Sequence, residues 1–580
     1  MSKRQKSISI DRKLDKYYKS KHNMPKSRPM APQRALVFQG GGSLGAYEAG
    51  VFHVLYHWIK KDLSEDENIF DIIAGTSIGA INASIVVNHF LENKSSDTSS
   101  KEELPMKVLK YWEGSPERLL DFWKKISSNS VLDYPLLLLK NTWDYYKQLS
   151  TQMFPYYKSF IDLIISGESL RRYYSTKKRI VFGEPHVFSP LFFPPFPTPL
   201  FNKFFDYFPS AWWYQYSSQP LKEFILEFAP ILQFDHYEGG GIKTDIDHRE
   251  PRLLLVAANI KTAQPETFDS YGKNDITINH VLASAAIPIN YSYIEINGDK
   301  YWDGGILSNT PVRELISSHR TFWKKDDSDD DDYDSSADSE GKLSFDQWND
   351  FYETQKTYYI PDLSLTIVNL HPESEEGDHI PTLHDYDMTK DRQNDIRFHD
   401  KTDYDIKLAQ DISDYHDFVR DMTMLANDAI KEIGVQNSAA NKLKKRFEKI
   451  LNTKQRTLTR VTNPRYFSDL IYKRFDIEEV IKIQRKDDIH TISDKIFDFS
   501  SNTILNLIEE GEKDALKEIV KHELDEMDKN GVKQREKGVE IKNQLTRFID
   551  DLNMKHTTDD LYIIRCAENE LNEIHQIQST

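Results

Sequence analysis

The stretch Arg34-Ala35-Leu36-Val37-Phe38-Gln39-Gly40-Gly41-Gly42-Ser43-Leu44-Gly45 opens with a short apolar block and runs into glycines. That pattern suits a strand buried in a parallel sheet and ending in a tight turn. Beyond it Val51, Val54, Leu55, Trp58 and Ile59 recur at helical spacing, a single apolar stripe for a helix lying on that sheet. A second unit repeats the plan: Ile69-Phe70-Asp71-Ile72-Ile73-Ala74 reads as a strand and Ser77 to about Phe90 as a helix, with Gly75 and Gly79 in the turn between them. Further strands are expected at Arg252 to Ala258 and Leu363 to Leu370, and a hairpin around Asn297-Gly298. The sheet therefore closes late in the chain, after long insertions, and the fold class is α/β.

Both turns are equipped for chemistry. Gly75-Thr76-Ser77-Ile78-Gly79 is a G-x-S-x-G pattern between a strand and a helix. A nucleophile on so sharp a turn needs neighbours without side chains to permit the backbone strain and the approach of substrate, while the helix N-terminus favours negative charge. The other role open to Ser77 is that of a helix N-cap after a tight turn. The first turn, Gly40 to Gly45, presents consecutive backbone N–H groups at a helix start, a nest for an anion. In an acyl hydrolase that anion is the tetrahedral oxyanion. Gly40, Gly42 and Gly45 also satisfy the G-x-G-x-x-G of dinucleotide folds, but the second strand ends in Gly75-Thr76-Ser77 where such a fold wants an acidic residue for ribose.

A serine nucleophile needs a base, and Tyr301-Trp302-Asp303-Gly304-Gly305 sets a carboxylate beside two glycines just after the hairpin. Desolvation of Asp303 would raise its proton affinity and make it a better base. His280 is the nearest upstream histidine and the candidate for a third member. His53 and His57 stand at i, i+4 without the intervening Glu of a zinc protease and read as ordinary helix residues.

Taken together, the glycine loop, the G-x-S-x-G serine and the Asp-Gly-Gly aspartate resemble the patatin-like phospholipase family in order and context, over about residues 34 to 315. Ala283-Ser284-Ala285-Ala286-Ile287-Pro288 and Ser308-Asn309-Thr310-Pro311 are similar to the family as well, and Gln393-Asn394-Asp395-Ile396-Arg397 resembles a stretch in a bacterial branch that carries an extra C-terminal module. The resemblance implies a three-layer α/β/α fold with a mainly parallel central sheet and a Ser77–Asp303 dyad that uses no histidine. It also implies an oxyanion loop of Gly40, Gly41, Gly42, Ser43 and Gly45, with Gly41 and Gly42 as principal donors. The implied reaction is hydrolysis of phospholipid or other lipid esters through an acyl-serine intermediate, with no metal or organic cofactor. Many relatives have Lys or Arg in the loop where this chain has Leu44, which removes a cationic helper and leaves the backbone donors. Acyl transfer to an alcohol would use the same dyad. A non-catalytic lipid-binding scaffold on the same fold is the reading against which an intact Ser77 and Asp303 argue.

Composition sets the outer bounds. At 580 residues the chain exceeds what one hydrophobic core supports, and a net charge of -17 argues against a nucleic-acid partner. Cys566 is the only cysteine, so no disulfide within the chain and no Cys-based metal cluster can form, which suits a reducing, cytoplasmic setting. No apolar run reaches the ~20 residues of a membrane span, so membrane contact would be peripheral. Residues 1–33 read as a basic tail, solvated or weakly anchored to anionic membrane. Within the catalytic region 34–315, a segment near 185–216 is crowded with Phe, Pro, Trp and Tyr, either an interfacial lid or a proline-stiffened loop. Residues 316–357 read as an acidic insertion, in which Ser336 to Leu343 falls short of a calcium loop because Gln347 stands where the bidentate Glu belongs. Residues 358–403 supply the last strand and a connection. Residues 404–580 read as helical, with Leu516, Ile519, Val520, Leu524 and Met527 as a stripe that packs on the catalytic region or mediates self-association.

Overall fold

The computed structural model describes residues 32–96, 107–127, 141–146, 148–149, 167–191, 216–233, 240–323, 360–373, 386–434, 437–451, 453, 475–486, 491–529, 534–555 and 560–579. The basic tail up to residue 31, the aromatic segment between 192 and 215 and the acidic insertion from 324 to 357 lie outside these residues.

Eight strands build one mixed sheet: β1 (Gln33–Phe38), β2 (Ile72–Thr76), β3 (Arg252–Asn259), β4 (Gln264–Asp269), β5 (Ile294–Ile296), β6 (Asp299–Asp303), β7 (Leu363–Asn369) and β8 (Ile477–Gln484). Their order is β8-β7-β1-β2-β3-β6-β5, with β4 beside β3. The pairings from β8 through β3 are all parallel, while β4 and β6 run antiparallel to β3 and β5 antiparallel to β6. The helices that cover the sheet and frame the site are α1 (Gly45–Lys60), α2 (Ile78–Ser96), α3 (Ser115–Ile126), α4 (Ile278–Ser284), α5 (Val312–Trp323), α6 (Tyr386–Phe398), α7 (Asp403–Ile433) and α8 (Ser501–Lys529).

Side chains alternate across a strand, so a sheet apolar on both faces needs helices on both. Leu36, Phe38, Ile73, Leu253 and Leu255 pack with residues of α1, α2, α3 and α8 on one side. Ala35, Val37, Ile72, Ala74 and Leu254 pack with Val312, Leu315, Ile316 and Ile406 of α5 and α7 on the other. The result is the expected three-layer α/β/α arrangement. No described helix is long and apolar enough to cross a membrane.

Three local expectations are refined. The second strand begins at Ile72 rather than Ile69, because the Asp71 carboxylate accepts the Arg34 N–H at 2.9 Å and the Arg34 guanidinium holds the Asn68 and Ile69 carbonyls. The hairpin forms on Asn297 and Gly298, both at positive φ (53° and 89°), the conformation a two-residue turn of matching twist requires. Residues 404–580, expected to be helical, also supply β8. Its Glu479 and Lys482 interrupt the apolar pattern, which an edge strand tolerates because one side is unpaired. The stripe on α8 packs on α1, and the crossing is tight: a Cβ on Gly50 would collide with the Ile508 carbonyl and one on Gly511 with the Tyr47 carbonyl.

The sheet also brings two distant strand ends together. Along residues 254–259, β4 occupies one edge of β3, so β2 and β6 share the other edge. β2 ends at Thr76 opposite Val256, and β6 ends at Asp303 opposite Ala257. The two strands thus meet end to end, and the residues at their tips become neighbours.

Candidate active site

The tips are Ser77 and Asp303. Ser77 sits between β2 and α2 with φ of 55°, a left-handed conformation that costs an L residue about 1 kcal/mol and marks a constrained position. Gly75 and Gly79 make the turn possible. A Cβ on Gly75 would strike the Gly79 carbonyl, and one on Gly79 would lie 2.7 Å from the Phe38 carbonyl carbon. Ile78 is buried and packs against Gly45, whose lack of a side chain makes room for Ile78 and Trp123.

The Ser77 hydroxyl donates to Asp303 Oδ2 at 2.6 Å. The other carboxylate oxygen accepts the Gly305 N–H at 2.7 Å, and the Asp303 N–H donates to the Ala286 carbonyl at 2.9 Å, so the carboxylate is fixed at both ends. Gly304 lies where a Cβ would strike the Val256 carbonyl. Burial pushes the Asp303 pKa up from 3.8 to about 6, against the lowering pull of the Ser77 hydroxyl and the Gly305 amide.

Gly40 adjoins this pair, with the position of a Cβ 3.1 Å from Ser77 Cβ. The loop then turns through Gly42 at φ of 59° into a 3₁₀ turn, Gly42–Leu44, and α1. Among the described residues no backbone acceptor takes the N–H of Gly41 or Gly42. The Ser43 hydroxyl is buried and donates to the Lys495 carbonyl at 2.8 Å. Beneath the loop, Asn82 donates to the Gly45 carbonyl and to Glu48, and accepts from Trp123 Nε1. Burial holds Glu48 well above the usual carboxylate range.

His280 has its own task. It closes the capping box of α4, its Nδ1 accepting the Thr277 N–H at 3.0 Å, and burial lowers its pKa to about 4. His53 Nδ1 lies 2.9 Å from Glu512 Oε1, both buried between α1 and α8.

Several residues not singled out from the sequence shape the site. The Ser284 hydroxyl accepts the Ser77 N–H at 3.0 Å and donates to the Val256 carbonyl at 2.6 Å, tying the serine turn to β3. Asn309 donates to the Gly40 carbonyl at 3.0 Å and its own carbonyl accepts the Gly40 N–H. Gln39 accepts the N–H groups of Leu370 and His371 and donates to Thr310. Ser284, Asn309 and Thr310 fall in the two stretches that flank the aspartate motif, but nothing in their spacing announces which groups they hold.

The site thus holds a left-handed serine at a strand–helix junction, hydrogen-bonded to a buried aspartate beside a glycine loop, on an α/β/α sheet. The family model for patatin-like phospholipase matches residues 36–316, and the domain these residues build belongs to that family, one of lipid acyl hydrolases. Comparison with curated proteins returns no match. Among solved structures, VipD from Legionella pneumophila is similar at 13% identity, covering 95% of this chain and 85% of that chain, with a TM-score of 0.23.

Proposed function

We propose that the protein hydrolyses carboxylic esters of lipids, with Ser77 as nucleophile and Asp303 as general base and acid. The observation that carries this is the 2.6 Å hydrogen bond from a strained Ser77 to a buried Asp303. Attack of Ser77 Oγ on the ester carbonyl forms a new C–O bond as the hydroxyl proton passes to Asp303. The resulting oxyanion lies against the glycine loop, where the Gly41 and Gly42 amides are the proposed donors, each worth about 3 kcal/mol of transition-state stabilisation. Collapse breaks the ester C–O bond, and Asp303 returns the proton to the leaving alcohol. Water then attacks the acyl-serine, giving its proton to Asp303, and collapse releases the acid and restores the serine hydroxyl. A carboxylate of ordinary pKa is a weak base towards a hydroxyl, and the elevation to about 6 works in the required direction.

A lipid substrate is supported by the apolar residues next to the aspartate. Ile306 and Leu307 follow the Asp-Gly-Gly turn and are 38% and 44% exposed. Ile289, three residues after the Ala286 that holds the Asp303 amide, is 75% exposed and stands at φ of 74°, a conformation a β-branched residue adopts at a cost. Such residues suit contact with acyl chains at a membrane surface, in line with a peripheral association.

The test is release of p-nitrophenol from short and long acyl esters by wild type, Ser77→Ala and Asp303→Asn, each checked for fold by circular dichroism. Turnover by wild type and a loss of roughly 10³-fold or more in both variants support the dyad. An active Ser77→Ala protein contradicts it.

A further inference from the structure

The contacts of helix α6, which carries Gln393-Asn394-Asp395-Ile396-Arg397, converge on the glycine loop from three directions. At its end, the Phe398 carbonyl accepts the Asn309 side-chain N–H at 2.8 Å, and the same amide group donates to Gly40. In its middle, Asp395 is 1% exposed, and two of its partners lead to the loop. One is His371, whose Nδ1 lies 3.0 Å from Asp395 Oδ1; the preceding Leu370 lies 2.7 Å from where a Gly41 Cβ would be, and both residues' N–H groups bond Gln39. The other is Lys495, whose ammonium donates to Asp395 at 2.9 Å and also lies 3.2 Å from the buried Asp391 of the same helix. The carbonyl of Lys495 accepts the Ser43 hydroxyl, and the next carbonyl, of Ile496, fills the space a side chain on Gly42 would need.

A buried charge cluster of this kind, Lys495 between Asp391 and Asp395, is costly to desolvate and stabilises little over a well-packed apolar substitute. Here it joins two separate strips of chain, 370–371 and 495–496, that pack against successive residues of one loop. We infer that Asp395 is a positioning residue for the oxyanion loop: through Lys495 and His371 it fixes the backbone at Gly41 to Ser43 so that their amides are already aimed when negative charge develops on the substrate. Preorganisation acts on the transition state and not on ground-state binding. The inference rests on the proposed hydrolase activity.

The experiment compares the full chain with Asp395→Asn, Lys495→Met and the double variant. It measures kcat and KM for a p-nitrophenyl ester, and the inhibition constant of an alkyl trifluoromethyl ketone. In that adduct Ser77 Oγ bonds the ketone carbon, its proton moves to Asp303, and the carbonyl oxygen becomes an alkoxide at the loop. Each single variant is expected to lower kcat by about 10–100-fold with KM within about twofold, and to weaken the ketone by the same factor as kcat. The double variant should be no worse than the more affected single, because the two residues act as one unit. Should a variant misfold, Ser43→Ala removes only the last link, and kcat and ketone affinity should fall together by about fivefold. If wild type turns over but the folded variants keep both kcat and ketone affinity, or raise only KM, the positioning role is overturned and the hydrolase reading stands. If wild type hydrolyses no ester, both fall together.

Discussion

At the scale of single residues, the role proposed for Asp303 links activity to stability. Its carboxyl titrates at about 6 in the fold against an ordinary 3.8, so the folded state binds the proton more tightly than the unfolded one. The charged carboxylate therefore carries a stability cost that is absent below about pH 4 and complete above about pH 6. Asp303→Asn removes it, and the variant should be more stable than wild type at pH 7 by on the order of 2–3 kcal/mol, a difference that shrinks towards pH 4 in thermal melts. Equal melting temperatures at pH 7 would contradict the assigned burial cost. The same pKa places the acid limb of kcat/KM: activity should fall as pH drops through about 6, because the base must be ionised in the free enzyme, and a limb near 4 would show an unperturbed carboxylate. Ser77→Gly relaxes the left-handed turn and should melt no lower than wild type while losing the proposed hydrolytic activity.

Elements show how far local pattern reaches. The βα units, the hairpin at Asn297-Gly298 and the junctions carrying Gly40–Gly42, Ser77 and Asp303 were legible because each rests on signals within a few residues: apolar blocks, glycine turns and helical periodicity. What α6 and α8 touch was not legible. Gly50 and Gly511 are ordinary helix glycines until α1 and α8 cross there, and the stretch around Asp395, though similar to a family module, gives no sign that His371 and Lys495 are brought to it. Strand β8 escaped because Glu479 and Lys482 find partners in Ser364 and Asp400, long-range contacts that no periodicity encodes. The crossing gives a direct check. Gly511→Ala puts a methyl group into the Tyr47 carbonyl and should cost about 1–3 kcal/mol, read as a lower melting temperature. An unchanged melting temperature would mean that the helices are not in contact there.

For the molecule as a whole, the C-terminal residues are part of the same core as the strand that leads into the glycine loop. Ile504, Leu516, Ile541, Leu545, Phe548 and Ile563 share one apolar cluster with Leu36, Phe38 and Val51. A chain ended before Phe475 would lose β8, α8 and the Lys495 turn, exposing the edge of β7 and a face of α1. Calorimetry of that truncation should show no cooperative transition, and a sharp one would mean that residues 32–474 fold alone. Whether one aspartate makes this serine nucleophilic is read out by mass spectrometry of the protein after reaction with a fluorophosphonate. A single adduct is expected, on Ser77, forming at least ~100-fold more slowly in folded Asp303→Asn. No adduct, an adduct on another serine, or an Asp303→Asn protein that reacts at the wild-type rate would overturn the Ser77–Asp303 dyad.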